Sequence, residues 1–252
     1  MLSIRDWRLR QRTNGLQSIL VPIPHSADDV CPTCRSWRHP RWSHCSNCLE
    51  AESELSHVCG QVIPISLYRK PSALRDALTS YKSTPQSAAH QHLQLLRSIL
   101  RRYMLENRRN LKGHLGGYTV ACQVPSSNPR FAAHPMRGVI GDGQVLGAPL
   151  EGLLERASGP LGHRRMSDSA FRTTKEVSQH RVLLVDDVFT TGASAQSAAS
   201  ALTLSGATVV GILVIARRVD PEFNQTAQDV WDRQADIPYS FRDALSWLLP
   251  GR

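Results

Sequence analysis

The chain has 252 residues, which is long enough for one sizeable hydrophobic core and a small accessory module. No apolar run approaches the ~18 residues that a membrane-spanning helix requires, and the polar residues 1–15 lack the apolar segment of a secretory signal. We therefore expect a soluble cytoplasmic protein. The formal net charge of +9 suits phosphorylated ligands or nucleic acid, although a solvated basic face explains it equally well.

Residues 1–29 are predicted to form a mobile tail or a segment that lies on the body of the protein, because their apolar stretch 16–24 contains two prolines. Residues 30–60 hold two Cys-x-x-Cys pairs that are separated by ten residues. Each pair supplies two thiolates from a tight turn, so the four together suit a tetrahedral structural zinc site. A redox role is the less favoured alternative, because the motif is doubled and lies outside a βαβ unit. The predicted zinc ligands are Cys31, Cys34, Cys45 and Cys48, and the nearby residues that could replace one of them are His39, His44, His57 and Cys59.

A strand and two helices are predicted next. The strand covers Val62 to Tyr68, and the first helix, 72–81, is followed directly by Lys82. The second helix, 85–110, carries apolar residues along one side. Its other side is rich in arginine, which we interpret as a solvated face or, less favoured, as a nucleic-acid contact. These arginines are Arg97, Arg101, Arg102, Arg108 and Arg109.

A further strand, from Tyr118 to Val124, is predicted to end at Pro125, because proline cannot donate a hydrogen bond to a sheet. It contains Cys122, which stands alone in an apolar run and is expected to be a buried core thiol. The polar loop 126–130 follows this strand.

Less regular stretches follow this loop and close the chain. Residues 134–147 are rich in glycine but lack a Gly-x-Gly-x-x-Gly fingerprint, so we predict a loop with one short helix. Residues 150–157 are predicted to be a short helix, and residues 159–180 are polar. Near the C-terminus we predict a final strand or hood element at 238–241 and a short helix at 242–249, with aromatic side chains packed on the body.

The run 181–194 carries the most chemical information. Its first apolar residues predict a strand that is buried on both faces, as in a parallel sheet. Asp186 and Asp187 follow, and after a short loop an alanine-rich helix extends to about Ser205, with Gly206 as its C-cap. A second apolar run, 207–216, predicts the next strand. The resulting βαβ unit puts the acidic pair at the carboxyl end of its first strand, where open α/β sheets bind ligands.

The residue types of this run suit a ribose 5-phosphate. Gly192 allows the backbone to approach a ligand closely, and free N–H groups at the start of a helix form a cradle for phosphate. The hydroxyl groups of Thr190, Thr191 and Ser194 add hydrogen-bond donors. Two adjacent carboxylates can accept hydrogen bonds from a sugar diol, either directly or through Mg²⁺.

The 13 positions from Val182 to Ser194 resemble the phosphoribosyl pyrophosphate (PRPP) motif of type I phosphoribosyltransferases, in which two acids precede a TTGxS or TTGxT loop. The resemblance implies an α/β fold with a mostly parallel sheet flanked by helices. It also implies that Asp186 and Asp187 are catalytic and hold the ribose hydroxyls with Mg²⁺. The residues implied for the 5-phosphate are Thr190, Thr191, Gly192, Ala193 and Ser194. Those implied for the pyrophosphate are Ser126, Ser127 and Arg130, and those implied for a mobile loop that closes over the substrate are Arg164, Arg165 and Arg172.

With a zinc ribbon in front, and with Tyr81-Lys82 and Val124-Pro125 as landmarks, the chain resembles the ComF family, which is linked to competence and DNA uptake in bacteria. The stretch before the acidic motif is shorter than in that family. The resemblance implies four parts in chain order, which are an N-terminal tail (1–29), a Cys₄ zinc ribbon (30–60), a phosphoribosyltransferase-like domain (61–220) and a C-terminal hood or tail (221–252).

Three functions are compatible with this resemblance. The first is transfer of a phosphoribosyl group from PRPP, with Mg²⁺, to an acceptor that the residues do not identify. The second is a PRPP sensor that binds the ligand without turnover. The third is a DNA-uptake accessory protein that binds single-stranded DNA or a helicase partner through the ribbon and the arginine-rich helix.

Overall fold

The computed structural model describes residues 4–82, 86–126 and 135–249. In these ranges the α-helices are α1 (Ile4–Thr13), α2 (Ser46–Glu54), α3 (Ala73–Ser80), α4 (Gln86–His114), α5 (Met136–Ile140), α6 (Ala193–Leu204) and α7 (Gln225–Ala235). The strands are β1 (Val62–Tyr68), β2 (Val120–Gln123), β3 (Leu154–Arg156), β4 (Phe171–Thr173), β5 (Arg181–Phe189) and β6 (Thr208–Arg218). None of the helices described is both long and apolar enough to cross a membrane.

Four of the strands form one parallel sheet in the order β1-β6-β5-β2. The central strands β5 and β6 are buried along most of their length, which explains their continuous apolar runs. Val182 and Leu184 belong to one hydrophobic cluster, whereas the alternate residues Leu183 and Val185 belong to another. The prediction of an α/β fold with a mostly parallel sheet flanked by helices is confirmed.

The predicted βαβ unit is present as β5, α6 and β6. Gly206 follows the end of α6 with a φ of +90°, a left-handed conformation that favours glycine. Three residues, 190–192, connect β5 to α6. The carboxyl end of the central strand and the amino end of the helix therefore lie next to each other.

Within the N-terminal segment, α1 lies on α4. Arg10 of α1 makes an ion pair of 2.7 Å with Glu106 of α4, and Arg102 donates a hydrogen bond of 3.1 Å to the hydroxyl of Thr13. The prediction that Arg102 belongs to an exposed arginine face is wrong, because α1 covers its side chain and leaves the residue 9% exposed.

Two local predictions are also wrong. Residues 150–157 do not form a helix, because β3 pairs with β4 in an antiparallel hairpin and this tertiary pairing outweighs a helical preference that Gly152 weakens. Residues 242–249 form successive turns instead of a helix. The C-terminal aromatic residues do pack on the body as predicted, and the buried ones are Tyr239, Phe241 and Trp247.

The helix α7 was missed by the sequence analysis. Its cap is formed by Asn224, whose side-chain oxygen accepts a hydrogen bond of 2.8 Å from the N–H of Ala227. The residues that it buries follow helical spacing, and they are Ala227, Val230, Trp231 and Gln234. Both signals are present in the sequence. The division of the chain at residues 29, 60 and 220 stays a prediction.

Candidate functional site

The acidic pair at the end of β5 is met by the C-terminal end of α3. Asp187 is only 4% exposed. Its Oδ2 accepts a hydrogen bond of 2.7 Å from the hydroxyl of Tyr81 and lies 2.5 Å from Nζ of Lys82. The backbone N–H of Asp187 donates a hydrogen bond of 2.8 Å to Oδ1 of Asp186. The helix α3 therefore delivers a hydroxyl donor and a cation to the same carboxylate.

The two carboxyl groups have opposite pKa shifts. Burial, and then the charge of Asp187, raise the pKa of Asp186 well above its usual range. Burial also acts to raise the pKa of Asp187, but the charge of Lys82 and hydrogen bonds from Lys82 and Tyr81 outweigh it and lower that pKa. Asp187 thus carries a stable negative charge. Asp186 gains its charge more readily when a cation or a hydrogen-bond donor approaches.

The loop between β5 and α6 has a conformation that only glycine allows at its last position. Gly192 has a φ of +87°, and a Cβ atom there would lie 2.3 Å from the ring of Phe189. The hydroxyl of Thr191 donates to the carbonyl oxygen of His163 and accepts from the N–H of Ala193 at 3.4 Å. The loop therefore leads directly into the N–H groups of the first turn of α6, which have no partner within a helix and can bind an anion.

A cavity of about 340 Å³ joins these groups, a volume within the ~300–1,000 Å³ of small-molecule sites. Its walls include both aspartates, Lys82 and the residues that directly follow β2. The sequence-predicted residues that line it are Ser126, Asp186, Asp187, Thr190, Thr191, Gly192, Ala193 and Ser194. The structure therefore brings the acidic pair, the hydroxyl loop and the first residue of the predicted pyrophosphate loop together. The other two residues predicted for pyrophosphate, Ser127 and Arg130, lie outside the described residues.

The three arginines predicted for a mobile loop are not among the described residues that line this cavity. Arg164 is exposed and pairs with Glu50 at 3.3 Å, and Arg165 is also exposed. Arg172 lies on β4, which pairs with β3 in a β-hairpin, and its side chain makes an ion pair of 2.6 Å with Glu155 of β3. The residues of this stretch that do reach the cavity are Leu161, Gly162 and His163.

The four predicted zinc ligands form one cluster, in which all four Sγ atoms lie within 4.8 Å of one another. The Sγ–Sγ separation is 3.8 Å for Cys31–Cys48 and 3.5 Å for Cys34–Cys45. Four sulfurs at ~2.3 Å from a tetrahedral zinc ion would be separated by about 3.8 Å. The geometry and the soft donor set therefore fit a zinc ion, and the four cysteines are positioned to bind a metal.

The alternative ligands do not join this cluster within the described residues. Cys59 is buried, its thiol contacts the carbonyl oxygen of Gln61 at 3.6 Å, and burial raises its pKa to about 11. Cys122 is fully buried in the sheet, as predicted for a core thiol, and burial raises its pKa to about 11 as well.

Sequence reasoning missed three residues of the site. Tyr81 and Lys82 served only as a family landmark, although a lysine directly after an amphipathic helix is a signal that could have placed a cation near the acidic pair. Arg217 was not assigned a role. It lies at the end of the buried strand β6, where a charge needs a partner, and it is 2% exposed.

No protein-family model matches this chain. Among curated proteins, the chain is similar to an orotate phosphoribosyltransferase from Sulfurisphaera tokodaii, with 34% identity over 98 residues. These residues are 37% of this chain and 49% of that protein, so the chain spans about half the length of this relative.

Two solved structures are also similar. One is an adenine phosphoribosyltransferase from Trypanosoma brucei in complex with AMP, pyrophosphate and ribose-5-phosphate, with 14% identity, a TM-score of 0.35, and coverage of 68% of this chain and 86% of that one. The other is an adenine phosphoribosyltransferase from Leishmania tarentolae, with 18% identity, a TM-score of 0.34, and coverage of 53% of this chain and 75% of that one.

Proposed function

We propose that this chain is a ComF-like phosphoribosyltransferase that binds PRPP, or a closely related ribose 5-phosphate, with Mg²⁺ in the cavity at the end of β5. One observation carries the proposal. The cavity combines an acidic pair, a glycine loop at the start of a helix and Ser126 within about 340 Å³. The 34% identity to an orotate phosphoribosyltransferase over 98 residues supports the same reaction class.

Each group has a distinct role in this proposal. The loop 190–194 holds the 5-phosphate through its hydroxyls and backbone N–H groups. Asp187, kept ionised by Lys82, accepts hydrogen bonds from the ribose hydroxyls, and Asp186 ionises beside them. The oxygen ligands of this pair suit Mg²⁺, which would offset negative charge on the pyrophosphate.

The reaction breaks the bond between the anomeric carbon and the pyrophosphate oxygen, and it forms a bond from the same carbon to a nucleophile that loses a proton. Its transition state resembles an oxocarbenium ion, so positioning and charge stabilisation contribute more than a strong base. The nucleophile is left open, because the described residues that line the cavity do not select one acceptor.

Thermal unfolding in the presence of Mg²⁺ and PRPP tests whether the protein binds this ligand. We expect the wild-type melting temperature to rise, and the double substitution Asp186→Asn with Asp187→Asn to abolish the rise. The matched control is Asp229→Asn with Asp232→Asn, which makes the same chemical change at two exposed positions of α7. An unchanged wild-type melting temperature would refute the assignment of the ligand.

Pyrophosphate release from PRPP, measured in the presence of each of a panel of bases and amines, tests whether the protein transfers the phosphoribosyl group. Release that depends on one acceptor identifies the reaction. Ligand binding without release from any acceptor would favour a PRPP sensor instead.

The proposed metal of the cysteine cluster is structural zinc. Because the four buried sulfurs leave no open position for a substrate, the ion would hold the ribbon together and take no part in transfer. Metal analysis of the purified chain should find one zinc per molecule. A folded chain that carries no metal would contradict this assignment.

A second candidate function is favoured by a separate feature, a groove of about 750 Å³ between α1 and α4. We call it the arginine groove. Its described lining contains five arginines against one acid, Asp6, and the arginines are Arg8, Arg12, Arg97, Arg101 and Arg108. Such a surface suits the phosphates of single-stranded DNA, as expected for a DNA-uptake accessory protein, alone or with a helicase partner.

Single-stranded DNA binding at several salt concentrations tests this candidate. We expect measurable affinity at low salt that falls steeply as salt increases. Absence of binding at low salt would refute an accessory role that depends on DNA binding by this groove. The two candidates use different surfaces, so each can hold without the other.

A further inference from the structure

Arg217 is a buried cation whose contacts reach both the cysteine cluster and the loop of the proposed ligand site. It lies on β6 opposite Phe189 of β5 in the parallel register. One of its guanidinium nitrogens donates to the carbonyl oxygens of Phe189 at 2.8 Å and Thr190 at 2.5 Å. The other lies 3.5 Å from Sγ of Cys34. One side chain therefore spans the boundary between the two sites.

The contacts on the loop side continue to Gly192. The guanidinium carbon of Arg217 lies 5.3 Å from the centre of the Phe189 ring. That ring in turn occupies the space next to Gly192, where a Cβ atom would lie 2.3 Å away. Arg217, Phe189 and Gly192 are thus packed in series, and a shift of the guanidinium would move the loop that precedes α6.

The charge of Arg217 needs a buried anion. No carboxylate lies within 4 Å of Arg217 among the described residues. Burying an uncompensated cation is costly, and the nearest group that can be anionic is the cysteine cluster. Four thiolates around one divalent metal ion carry a net charge of −2, which suits Arg217 and the neighbouring buried Arg35. Four neutral thiols would provide neither cation with an anionic partner.

We propose that Arg217 is a positioning residue that couples metal occupancy of the cysteine cluster to the conformation of the loop 189–192, so that metal and phosphate ligand strengthen each other's binding. The ligand half rests on the proposed function, whereas the metal half does not. Coupling of this kind is reciprocal, since each ligand must change the affinity of the other by the same factor. We expect a factor of about ten, within the usual range for coupled sites.

Zinc transfer from the full-length chain to a zinc-selective chromogenic chelator, measured with and without Mg²⁺–PRPP, tests the coupling. In the wild type we expect Mg²⁺–PRPP to strengthen zinc retention about tenfold. In Arg217→Gln we expect weaker zinc retention and loss of the PRPP effect. The matched control is Arg218→Gln, which removes the adjacent, partly exposed arginine that pairs with Asp220, and it should behave as the wild type.

The outcomes distinguish the effect of Arg217 on zinc retention from its coupling to PRPP binding. If Arg217→Gln retains zinc as tightly as Arg218→Gln, the metal half is wrong. If PRPP still strengthens zinc retention in Arg217→Gln, the coupling does not pass through Arg217. If the wild type fails to bind PRPP at all, the proposed function fails, while weaker zinc retention in Arg217→Gln would still uphold the contact between Arg217 and the cluster.

A second variant covers the case in which Arg217→Gln does not fold. Arg217→Lys keeps the charge but cannot donate to the loop and to the sulfur with two separate nitrogens. With Co²⁺ in the cluster, we expect the sulfur-to-cobalt absorption band of the wild type to shift when Mg²⁺–PRPP is added. The shift should be absent in Arg217→Lys, and an equal shift in both proteins would overturn the proposal.

Discussion

The cavity at the end of β5 and the arginine groove both suit phosphate groups, but they differ in the groups that would bind them. In the cavity, these groups are backbone N–H donors and hydroxyls, next to an acidic pair of which Asp187 is held by Tyr81 and Lys82. In the groove, they are guanidinium groups on long side chains of two helices. The first arrangement is fixed before a ligand arrives and is specific in shape. The second is adaptable, and salt screens it.

The largest effect on ligand affinity is expected from a substitution at Gly192 that displaces the loop of the β5 cavity. In Gly192→Ala the new Cβ meets the Phe189 ring, so the loop must shift, and we expect the affinity for Mg²⁺–PRPP to fall about a hundredfold, or ~2.7 kcal/mol. Titration calorimetry measures the loss.

Gly206→Ala is the matched control for this change, because Gly206 also has a left-handed φ of +90° but lies at the other end of α6. Both variants should lose some stability, while only Gly192→Ala should lose binding. Equal affinities in the two variants would contradict the assigned role of the loop.

The next effect concerns the cation that keeps Asp187 ionised. In Lys82→Met, burial is no longer opposed by the ammonium charge, so the pKa of Asp187 rises and its charge is lost more readily as the pH falls. We expect PRPP affinity to fall about tenfold, with a larger loss at pH ~6 than at pH ~8.

Calorimetry at the two pH values checks this dependence on Lys82. The control Lys175→Met removes an exposed lysine that pairs with Glu151 and should leave the affinity unchanged. A loss that does not vary with pH would argue against an electrostatic role for Lys82.

A third change separates the two phosphate-binding surfaces. Arg97→Ala with Arg101→Ala should reduce the slope of the salt dependence of single-stranded DNA binding by about 1.4 units, or ~0.7 for each phosphate contact, because each removed charge lowers the number of counterions released. It should not alter PRPP affinity, since neither residue lines the β5 cavity.

The control for this change is Arg172→Ala with Arg233→Ala, which removes two exposed arginines away from the groove. Fluorescence anisotropy with labelled single-stranded DNA gives the slopes. Equal slopes for the two double variants would refute DNA binding through the arginine groove.

The smallest effect is on stability. Because the pKa of Asp186 is raised in the folded state, its carboxyl group favours folding at low pH, and this contribution is lost as the pH rises through the folded pKa. Asp186→Asn removes the cost of ionising this group, so we expect the unliganded variant to melt about 2–4 °C above the wild type at neutral pH, which is ~1 kcal/mol.

Melting curves between about pH 5 and pH 8 measure this difference, which should grow with pH. Asp229→Asn, an exposed change, serves as the control. A difference that shrinks as the pH rises would mean that the ionised form of Asp186 is favoured in the folded protein, in conflict with its raised pKa.

The parts of the fold that sequence reasoning reached are those with a strong local pattern. The bounds of β1 agree with the predicted strand, and the helix α6 follows the acidic motif because its apolar run, acids and glycine are contiguous. The hairpin of β3 and β4 was missed because pairing between residues 17 apart, such as Glu155 and Arg172, leaves little local signal.

In the candidate site, too, residues within local motifs could be predicted and residues that meet only on folding could not. Residues 186–194 and the four cysteines could be predicted because each set belongs to a short, characteristic motif. Arg217 could not, because its partners Cys34 and Phe189 are distant in sequence and meet only when β6 pairs with β5. The same holds for the contact between Lys82 and Asp187.

The sequence separation between Arg217 and Cys34 has a consequence for biosynthesis. The two residues are 183 positions apart, and Cys59 is bound on both its N–H and its carbonyl group by the side chain of Gln196, 137 positions later. At a translation rate of roughly 5–20 residues per second, the ribbon waits on the order of ten seconds or more for these partners. During that time the nascent ribbon has its four thiols but lacks its guanidinium neighbour, so under the proposed coupling any metal captured on the ribosome would be held more weakly than after docking onto the sheet.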